Sequence, residues 1–364
     1  MSIHFHSIKV KEVRKETSGC VSVLFDIPDE LKKDFAFIQG QSLTMRTFLN
    51  GEEVRRTYSI CSSPLDKEWR VAIKKVEGGL FSGFANEKLK KDDVLEVMPP
   101  VGNFYTKLNA DNKKKYLAFA AGSGITPVIS IIKTTLNIEP RSSFTLVYGN
   151  RSRNSIIFFE ELENLKNKYL TRFNLIHVLS KERTDAHLNF GRITIDKLIE
   201  LNKIVPYNSI DEFFICGPEQ MIFCVKEFLE QRDIDKGKIH FELFTTPGQK
   251  QSTVNSEQSI VDSGPKSKIT IRLDGRSFDF DLSLNSTTTI LDAALQQGAD
   301  LPFACKGGVC CTCKARLLEG EVMMDVHWGL EEEEINKGFI LTCQSHPKTF
   351  LKVQKIQWIA LIIS

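Results

Sequence analysis

The sequence has almost no excess of charge of either sign. Its 364 residues include 48 lysines and arginines against 46 aspartates and glutamates, a formal net charge of +2 at pH 7. Such a balanced chain has no strong field to hold nucleic acid or an anionic membrane, so local sites must select its partners. The length is sufficient for about two or three domains, each with a core of its own.

Segments for export and for crossing a membrane are also missing. The first 13 residues have a polar start that leads into a strand, without the charged, apolar and small-residue pattern of a signal peptide. The apolar run Trp358–Ile363 is far shorter than the roughly 20 residues that a transmembrane helix needs. We therefore expect a cytoplasmic protein with no membrane and no nucleic-acid partner. In that compartment the nine cysteines indicate metal or cluster binding rather than disulfides.

Three patterns follow one another before the C-terminal region. Short β-type runs separated by turns predict an antiparallel β-barrel domain over residues 1–110. Apolar strands that alternate with helical stretches predict a parallel α/β domain over residues 111–246. Residues 247–267 contain hardly any large apolar side chain and are expected to be a flexible linker.

The C-terminal region, residues 268–364, has the pattern of a small β-grasp domain. An Asp-Gly turn at Asp274 separates two alternating runs, which is a strong hairpin signal, and a helix that ends at Gly298 follows. Beyond the cysteine-bearing loop, Leu351–Lys355 alternates as one further strand. The expected architecture is therefore a barrel, a parallel α/β domain and a β-grasp domain.

Four cysteines of this region carry the most specific signal in the chain. Cys305, Cys310 and Cys313 have the C-x4-C-x2-C spacing, and Cys343 follows at a distance, as in plant-type [2Fe-2S] sites. A structural zinc site is the alternative. Zinc tetrads usually consist of two short-spaced pairs, whereas three of these cysteines share one loop, so the spacing favours the cluster.

The loop between these cysteines has to curl tightly to bring four thiolates to two irons. Gly307 and Gly308 permit the backbone angles that such a curl requires. Backbone amides of the same loop can donate hydrogen bonds to the sulfurs and tune their potential. Cys311 lies inside the loop but off the spacing, so we interpret it as a non-ligand.

Two motifs in the barrel region suit a flavin. In R-x-Y-S, Arg56 can hold a phosphate, the Tyr58 ring can pack on the isoalloxazine, and Ser59 can hydrogen-bond near the reactive ring nitrogen. Further along, Gly79 and Ser82 belong to a glycine-rich segment that opens a helix, and free amides at a helix N-terminus suit a pyrophosphate. A plain strand end and a hinge loop are the alternatives for each motif taken alone.

A glycine-rich turn in the α/β region suits a dinucleotide. An apolar strand runs into Gly122 and Gly124, and a helix that contains Thr126 follows. Such a turn lets phosphates approach backbone amides closely. It is not the G-x-G-x-x-G fingerprint of the Rossmann dehydrogenases.

An acidic residue for the ribose hydroxyls of NADH is missing where the second strand of this region ends. Arg151 and Arg153 stand there instead, and the next strand ends at Ser180 with Lys181 and Arg183 close behind. Positive charge at these positions favours NADPH over NADH. Solvated loop charges are the alternative interpretation.

The end of the fourth strand supplies further candidates. Cys216, Gly217 and Pro218 lie at the carboxyl edge of the sheet, where ligands of open α/β sheets bind. Cys216 can touch the nicotinamide there and, with Ser59, is the predicted catalytic residue, although buried strand-end cysteines are common. Phe244 is a candidate ring to cover the flavin, with a core phenylalanine as the alternative.

Taken together, R-x-Y-S, G-G-x-F-S, G-S-G-I-T-P, C-G-P-E-Q-M and the cysteine loop resemble ferredoxin-NADP reductases joined to a C-terminal plant-type ferredoxin domain. Within that family the chain resembles the reductase components of phenylacetyl-CoA epoxidase complexes, over nearly its whole length. The resemblance implies five contacts to FAD, by Arg56, Tyr58, Ser59, Gly79 and Ser82. It also implies that five residues line the NADPH path, namely Gly124, Thr126, Arg151, Cys216 and Pro218.

The implied activity is an electron relay from NADPH through FAD to the [2Fe-2S] cluster. The implied partner is the di-iron component of an oxygenase that acts on an aromatic acyl-CoA. A Rieske oxygenase, a desaturase or a hybrid-cluster protein is an alternative acceptor, and a redox-sensing module without turnover is an alternative of another class. The motifs do not separate FAD from FMN, because flavin-mononucleotide reductases share R-x-Y-S and the cluster domain.

Overall fold

The computed structural model describes residues 4–184, 186–244, 265–273, 276–284, 286–299, 301–349 and 351–354. They form two compact units, one of residues 6–243 and one that takes the described residues from 244 onward with those before residue 6. Most of the predicted linker, the hairpin turn at Asp274 and the apolar run after residue 357 lie outside the described residues.

The first unit begins with six antiparallel strands, β1 His6–Thr17, β2 Cys20–Asp26, β3 Ser42–Leu49, β4 Glu52–Ser59, β5 Trp69–Lys74 and β6 Val94–Val97. They pair in the order β4-β3-β6-β1-β2-β5. A bridge between Ile60 and Val71 joins the two outer strands, which confirms the predicted barrel. Helix α1, Leu80–Glu87, packs its Phe81 and Ala85 into the barrel core, where the inward side chains of the alternating strands are apolar.

The second half of this unit is a parallel sheet covered by helices, as predicted. The strands are β7 Lys115–Ala121, β8 Ser143–Asn150, β9 Phe173–Leu179, β10 Glu212–Cys216 and β11 Ile239–Glu242, in the order β11-β10-β7-β8-β9. The helices are α2 Ile125–Ile138, α3 Phe159–Lys168, α4 Ile195–Asn202 and α5 Glu219–Glu230. Continuous apolar runs such as Tyr116–Ala120 are fully buried, because helices cover parallel strands on both faces.

The other unit is a small sheet with one main helix, in agreement with the predicted β-grasp domain. Its strands are β12 Lys266–Leu273, β13 Arg276–Ser283, β14 Lys314–Glu319, β15 Val322–Met324, β16 Phe339–Leu341, β17 Ser345–Pro347 and β18 Leu351–Gln354; its helices are α6 Ile290–Gln296 and α7 Glu332–Asn336. The main sheet has the order β13-β12-β18-β14-β16. The predicted closing strand is therefore present, and it lies in the middle of the sheet.

Helix α6 ends as the sequence predicts. The Thr289 side chain accepts a hydrogen bond from the Asp292 amide and caps the start of α6, and Gly298 follows the end of α6 with a φ of 80°.

In the part of the chain that the structure describes, no helix is both long and apolar enough to cross a bilayer.

Candidate functional site

The R-x-Y-S motif lies on the last residues of β4. Arg56 is exposed and donates from Nη1 to the Arg55 carbonyl at 2.7 Å, while Tyr58 packs on Phe81 with ring centroids 5.7 Å apart. Burial raises the pKa of the Tyr58 phenol, so this ring remains neutral. Ser59 is buried at the strand end. The motif thus presents an exposed cation, an aromatic ring and a buried hydroxyl along one strand.

The glycine-rich segment that precedes α1 is closed by the predicted serine. The Ser82 hydroxyl accepts from the Val76 amide at 3.1 Å and donates to the Gly79 carbonyl at 3.3 Å. A Cβ on Gly79 would lie 2.5 Å from that hydroxyl oxygen, so the turn needs glycine there. No side chain caps the start of α1. Its first amides can therefore meet an anion.

The glycine-rich turn after β7 and the end of β10 pack directly against each other. A Cβ on Gly124 would lie 2.0 Å from the Cys216 carbonyl oxygen, and one on Gly217 would lie 3.1 Å from the Ala121 amide nitrogen. Gly122 has a φ of 55°, and its carbonyl accepts from the Tyr148 hydroxyl at 2.9 Å. The structure therefore joins two motifs that the sequence offered separately.

Two further predicted residues flank this junction. The buried Thr126 hydroxyl donates to the Ser123 carbonyl at 3.0 Å and so stabilises the first turn of α2. Pro218 has a φ of −61° and a ψ of 139° and is the residue from which α5 begins. Both hold the backbone of a turn, which suits a site that is built from main-chain amides.

A carboxylate that the sequence pattern did not single out completes the flavin side. The Ser59 hydroxyl donates to Glu242 Oε2 at 3.1 Å, although the two residues are 183 positions apart. β10 aligns Cys216 with Glu242 on one side and with Ala120 on the other. The two predicted catalytic residues therefore share Glu242 as a neighbour. Burial raises the pKa of the Cys216 thiol, as does the charge of Glu242, so the thiol stays protonated.

Lys74, at the end of β5 in the barrel, is another residue that the sequence motifs did not indicate. A Cβ on Gly122 would lie 3.2 Å from Lys74 Nζ, so this ammonium lies beside the glycine-rich turn. Lys75, its neighbour, is instead paired with Glu87 at 2.6 Å. The position of Lys74 at the end of β5 is visible in the sequence, but its approach to a turn of the α/β half is not.

The loops after β8 and β9, where the sequence predicts the contacts to NADPH, are joined by backbone hydrogen bonds. The Ser180 amide donates to the Asn150 carbonyl at 2.9 Å, and the Lys181 amide donates to the Arg151 carbonyl at 2.8 Å. Glu182 Oε2 accepts from the Arg153 amide at 2.7 Å. The structure therefore brings Arg151 and Ser180 to one edge, where the side chain of Arg151 is exposed.

Phe244 lies two residues beyond the end of β11 and is 41% exposed. This exposure disagrees with its alternative interpretation as a core phenylalanine. Its position over a flavin stays a prediction.

The four predicted cluster cysteines lie close enough for their thiols to interact with one another. A hydrogen bond with the Cys310 thiol lowers the pKa of Cys305 to about 7, and the same bond raises that of Cys310. Cys343 is paired with Cys313, whose hydrogen bond, together with burial, raises its pKa. Four interacting thiols are the donor set that a [2Fe-2S] cluster uses, and the C-x4-C-x2-C spacing of three of them favours the cluster over zinc. The donor set therefore fits the predicted cluster; the role of each thiol as a ligand remains a prediction.

The loop around these thiols has the tight curvature that the sequence predicts. Gly308 has a φ of 74°, and a Cβ there would lie 2.8 Å from the Val326 side chain. The Gly307 amide donates to Cys305 Sγ at 3.3 Å. The Cys311 thiol donates to the Gly329 carbonyl at 2.5 Å and so belongs to the support of the loop.

Comparison with protein families assigns a domain to each of these sites. Residues 7–105 match the oxidoreductase FAD-binding domain, residues 119–227 the oxidoreductase NAD-binding domain, and residues 272–348 the 2Fe-2S iron-sulfur cluster binding domain. The chain therefore contains a flavin site, a pyridine-nucleotide site and a cluster site, in the order that the motifs predict.

Similar proteins cover the whole arrangement. The chain is 44% identical to one of the subunits of the 1,2-phenylacetyl-CoA epoxidase of Escherichia coli (strain K12), over 95% of this chain and 96% of that protein. It is 36% identical to the ferredoxin reductase component of the 3-ketosteroid-9-alpha-monooxygenase of Rhodococcus rhodochrous, with the same coverage of both. The solved structure of phthalate dioxygenase reductase has the same fold, with a TM-score of 0.57 and 21% identity over 96% of this chain and 97% of that one.

Proposed function

The chain belongs to the family of ferredoxin-NADP reductases that carry a C-terminal plant-type ferredoxin domain, and on that premise we propose that it supplies electrons from NADPH to a di-iron oxygenase. In this proposal the oxygenase is the phenylacetyl-CoA ring epoxidase. The observation that carries it is the 44% identity to the epoxidase component of Escherichia coli along 95% of the chain. The intact flavin, nucleotide and cluster sites support an enzyme that turns over rather than a redox sensor.

When bound, FAD takes up a hydride from NADPH and the [2Fe-2S] cluster accepts single electrons, which converts a two-electron donor into a one-electron supply. On the flavin side, the Arg56 guanidinium would hold a phosphate and the Tyr58 ring would pack on the isoalloxazine. Because the Ser59 hydroxyl donates to Glu242, its lone pairs are available to accept a hydrogen bond from a flavin ring N–H, which the reactive nitrogen has only in the reduced flavin. The amides beyond Gly79, in the turn that Ser82 closes, would hold the pyrophosphate.

On the nucleotide side, backbone amides of the turn that contains Gly122, Gly124 and Thr126 would bind the pyrophosphate, with Lys74 to offset its charge. Arg151 and Ser180 would hold the 2′-phosphate that distinguishes NADPH from NADH.

The nicotinamide itself would lie against the end of β10. There Gly217 and Pro218 would line the ring, and the protonated Cys216 thiol, which is fully buried, would reach it only from behind them. Phe244, whose ring is exposed, would be the ring that covers the flavin.

In the cluster domain, the four cysteines Cys305, Cys310, Cys313 and Cys343 would hold the two irons. The Gly307 amide, which points at Cys305 Sγ, would lower the electron density on that sulfur and raise the reduction potential.

The relay divides the chain into an FAD-binding barrel (1–110), an NADPH-binding domain (111–246), a linker (247–267) and a ferredoxin domain (268–364). The matched families, whose limits fall inside these ranges, support the division. A cytoplasmic location belongs to the same proposal, because none of the nine cysteines, all of them in the described residues, forms a disulfide, which suits a reducing compartment.

Reconstitution with purified oxygenase components tests the choice of partner. We expect NADPH-dependent conversion of phenylacetyl-CoA when the chain is combined with the epoxidase components. A 3-ketosteroid monooxygenase component is the second candidate acceptor, because the reductase of such a system is 36% identical. Faster turnover with that component would overturn the epoxidase assignment and leave the reductase assignment intact. The flavin released from the denatured protein should be FAD, and FMN would contradict the cofactor assignment.

A further inference from the structure

A short segment, residues 60–66, follows the flavin motif and packs against α2, the helix of the nucleotide site. The segment starts directly after Ser59, and its Cys61, Ser62 and Ser63 are buried against the α/β half. It contacts α2, the helix that begins at the glycine-rich turn. The contact between this segment and α2 therefore lies between the predicted flavin residues, which precede the segment, and the predicted nucleotide turn, which precedes α2.

The contact between the segment and α2 is made of directed, buried hydrogen bonds. The Ser130 hydroxyl donates to the Ser62 carbonyl at 2.7 Å. The hydroxyl oxygens of Ser63 and Thr134 are 2.9 Å apart, and Thr134 already donates its proton to the Ser130 carbonyl at 2.6 Å. Ser63 must therefore be the donor in that pair, so each hydroxyl has one defined orientation.

An ion triad closes the same contact. Lys133 Nζ is 2.7 Å from Asp66 Oδ2 of the segment and 2.8 Å from Glu161 Oε1 of α3. Asp66 is oriented in advance, because its carboxylate also accepts from the Ser63 amide at 2.9 Å. Burial alone would lower the pKa of Lys133, but the charges of Glu161 and Asp66 raise it, so the triad stays charged.

We call these six residues the polar seam: Ser62, Ser63, Asp66, Ser130, Lys133 and Thr134. Within it, Ser62 is three residues from Ser59, and Ser130 is six residues, or about 9 Å of helix, from Gly124. Apolar packing would hold the two halves together without fixing their register, because it has no direction, whereas these bonds permit only one register.

We propose that the polar seam sets the distance and angle between the nicotinamide and the flavin, and that Lys133, Ser130 and Thr134 are positioning residues for hydride transfer. This inference rests on the proposed function, since it assumes that both cofactors bind as described there. Hydride transfer requires a near-attack geometry, and a displacement of about 1 Å can slow such a step by about 100-fold. Binding of each cofactor is less sensitive, because each is held mainly by its own half.

The test is anaerobic stopped-flow reduction of the full-length holoprotein by NADPH at several concentrations. For Lys133→Met we expect the limiting rate of flavin bleaching to fall by about tenfold, together with a weaker nicotinamide–flavin charge-transfer band. The NADPH concentration at half-maximal rate and the FAD content should stay within about twofold of the parent, because neither binding site is altered. Lys133→Arg should restore most of the rate.

The matched control is Lys226→Met. Lys226 is also a partly buried helix lysine of the α/β half, but its ion pair with Glu230, at 2.8 Å, stays within α5. It should leave the limiting rate and the charge-transfer band unchanged. If Lys133→Met fails to fold, Ser130→Ala, which removes one hydroxyl only, takes its place with a smaller loss of the same kind.

Three results would overturn the inference. One is a limiting rate within about twofold of the parent in both seam variants. Another is a loss of rate that only follows the loss of bound FAD or a higher half-maximal NADPH concentration. The third is an equal loss in Lys226→Met. A parent protein whose flavin NADPH does not bleach would instead contradict the proposed function.

Discussion

The flavin and nucleotide site and the cluster site are built in opposite ways. The first collects groups from distant strand ends: Ser59 at the end of β4 meets Glu242 across 183 residues, and the register of β10 and β11 aligns Glu242 with Cys216. The second takes three of its four thiols from residues 305–313, a loop curled by positive φ angles at Lys306, Gly308 and Cys311. A substitution in the first should disturb alignment and slow a step, whereas one in the second should remove a ligand and abolish the site.

Removal of a cluster thiol should have the largest effect. Cys313→Ala should eliminate the visible absorption of the cluster and the reduction of any acceptor that takes electrons from it, because an iron loses one of its two thiolates. Bleaching of the flavin by NADPH should continue. Absorption spectra and anaerobic titration of the purified variant measure both effects.

The control in the same loop is Cys311→Ser, which preserves the hydrogen bond to the Gly329 carbonyl. This variant should retain the visible absorption of the cluster and the reduction of the acceptor. A coloured Cys313→Ala protein, or a colourless Cys311→Ser protein, would reverse our assignment of ligand and non-ligand.

A methyl group between the turn and β10 should have the next largest effect. Gly124→Ala places a carbon 2.0 Å from the Cys216 carbonyl oxygen, so the glycine-rich turn and the end of β10 must separate. We expect NADPH-driven flavin reduction to slow by about 100-fold, since both sides of the nucleotide site move. Chemical reduction of the cluster by dithionite should be normal.

Gly83→Ala is the matched control, because a Cβ at that helical position meets nothing within 4 Å. It should preserve the rate and raise the free energy of unfolding by about 0.5–1 kcal/mol, since alanine favours a helix interior. An unaffected Gly124→Ala protein would mean that the contact between these two motifs is not needed.

A smaller effect is expected at the carboxylate that joins the two predicted catalytic residues. Glu242→Gln keeps the size of the side chain but weakens its acceptance of the Ser59 proton, so the hydroxyl is less firmly oriented. The limiting rate of flavin reduction should fall by about tenfold, the equivalent of one charge-assisted hydrogen bond, with an unchanged KM for NADPH. Glu227→Gln, on the exposed side of α5, should leave both constants at the parent values. A higher KM with an unchanged limiting rate would place Glu242 in nucleotide binding instead.

The smallest effect is expected from the barrel lysine beside the turn. Lys74→Ala should raise the KM for NADPH by about threefold at low salt and less at high salt, because its exposed charge is screened. Lys75→Ala changes the adjacent lysine, which is paired with Glu87, and should leave the KM unchanged. Equal effects of the two substitutions would show that the general positive charge of this edge matters, and not the position of Lys74.

The contrast between a local loop and a site assembled from distant strands also explains which features the sequence could predict. The cluster loop is local, so its sequence was enough to predict a tight curl at Gly307 and Gly308; of the two, Gly308 has the positive φ. The barrel, the parallel sheet and the β-grasp domain followed from the periodicity of long, regular runs. The last strand, predicted over Leu351–Lys355, is present at Leu351–Gln354.

Residues that act across the fold were not predictable in that way. Glu242 lies on a strand of four residues, too short for a periodic signal, and its alignment with Cys216 is fixed by strand order and register. Lys74 has nothing in its own neighbourhood that relates it to Gly122. The motifs around Gly124 and Cys216 were each recognised, but their contact depends on β7 and β10 being adjacent.

Anaerobic mixing of the holoprotein with NADPH, followed at the flavin and cluster wavelengths, tests the central claim that electrons enter at the flavin and leave through the cluster thiols. We predict that flavin bleaching comes first, and that the cluster signal then falls at a rate that is independent of the NADPH concentration. Cluster reduction that precedes flavin bleaching, or that persists in protein stripped of its flavin, would contradict the relay.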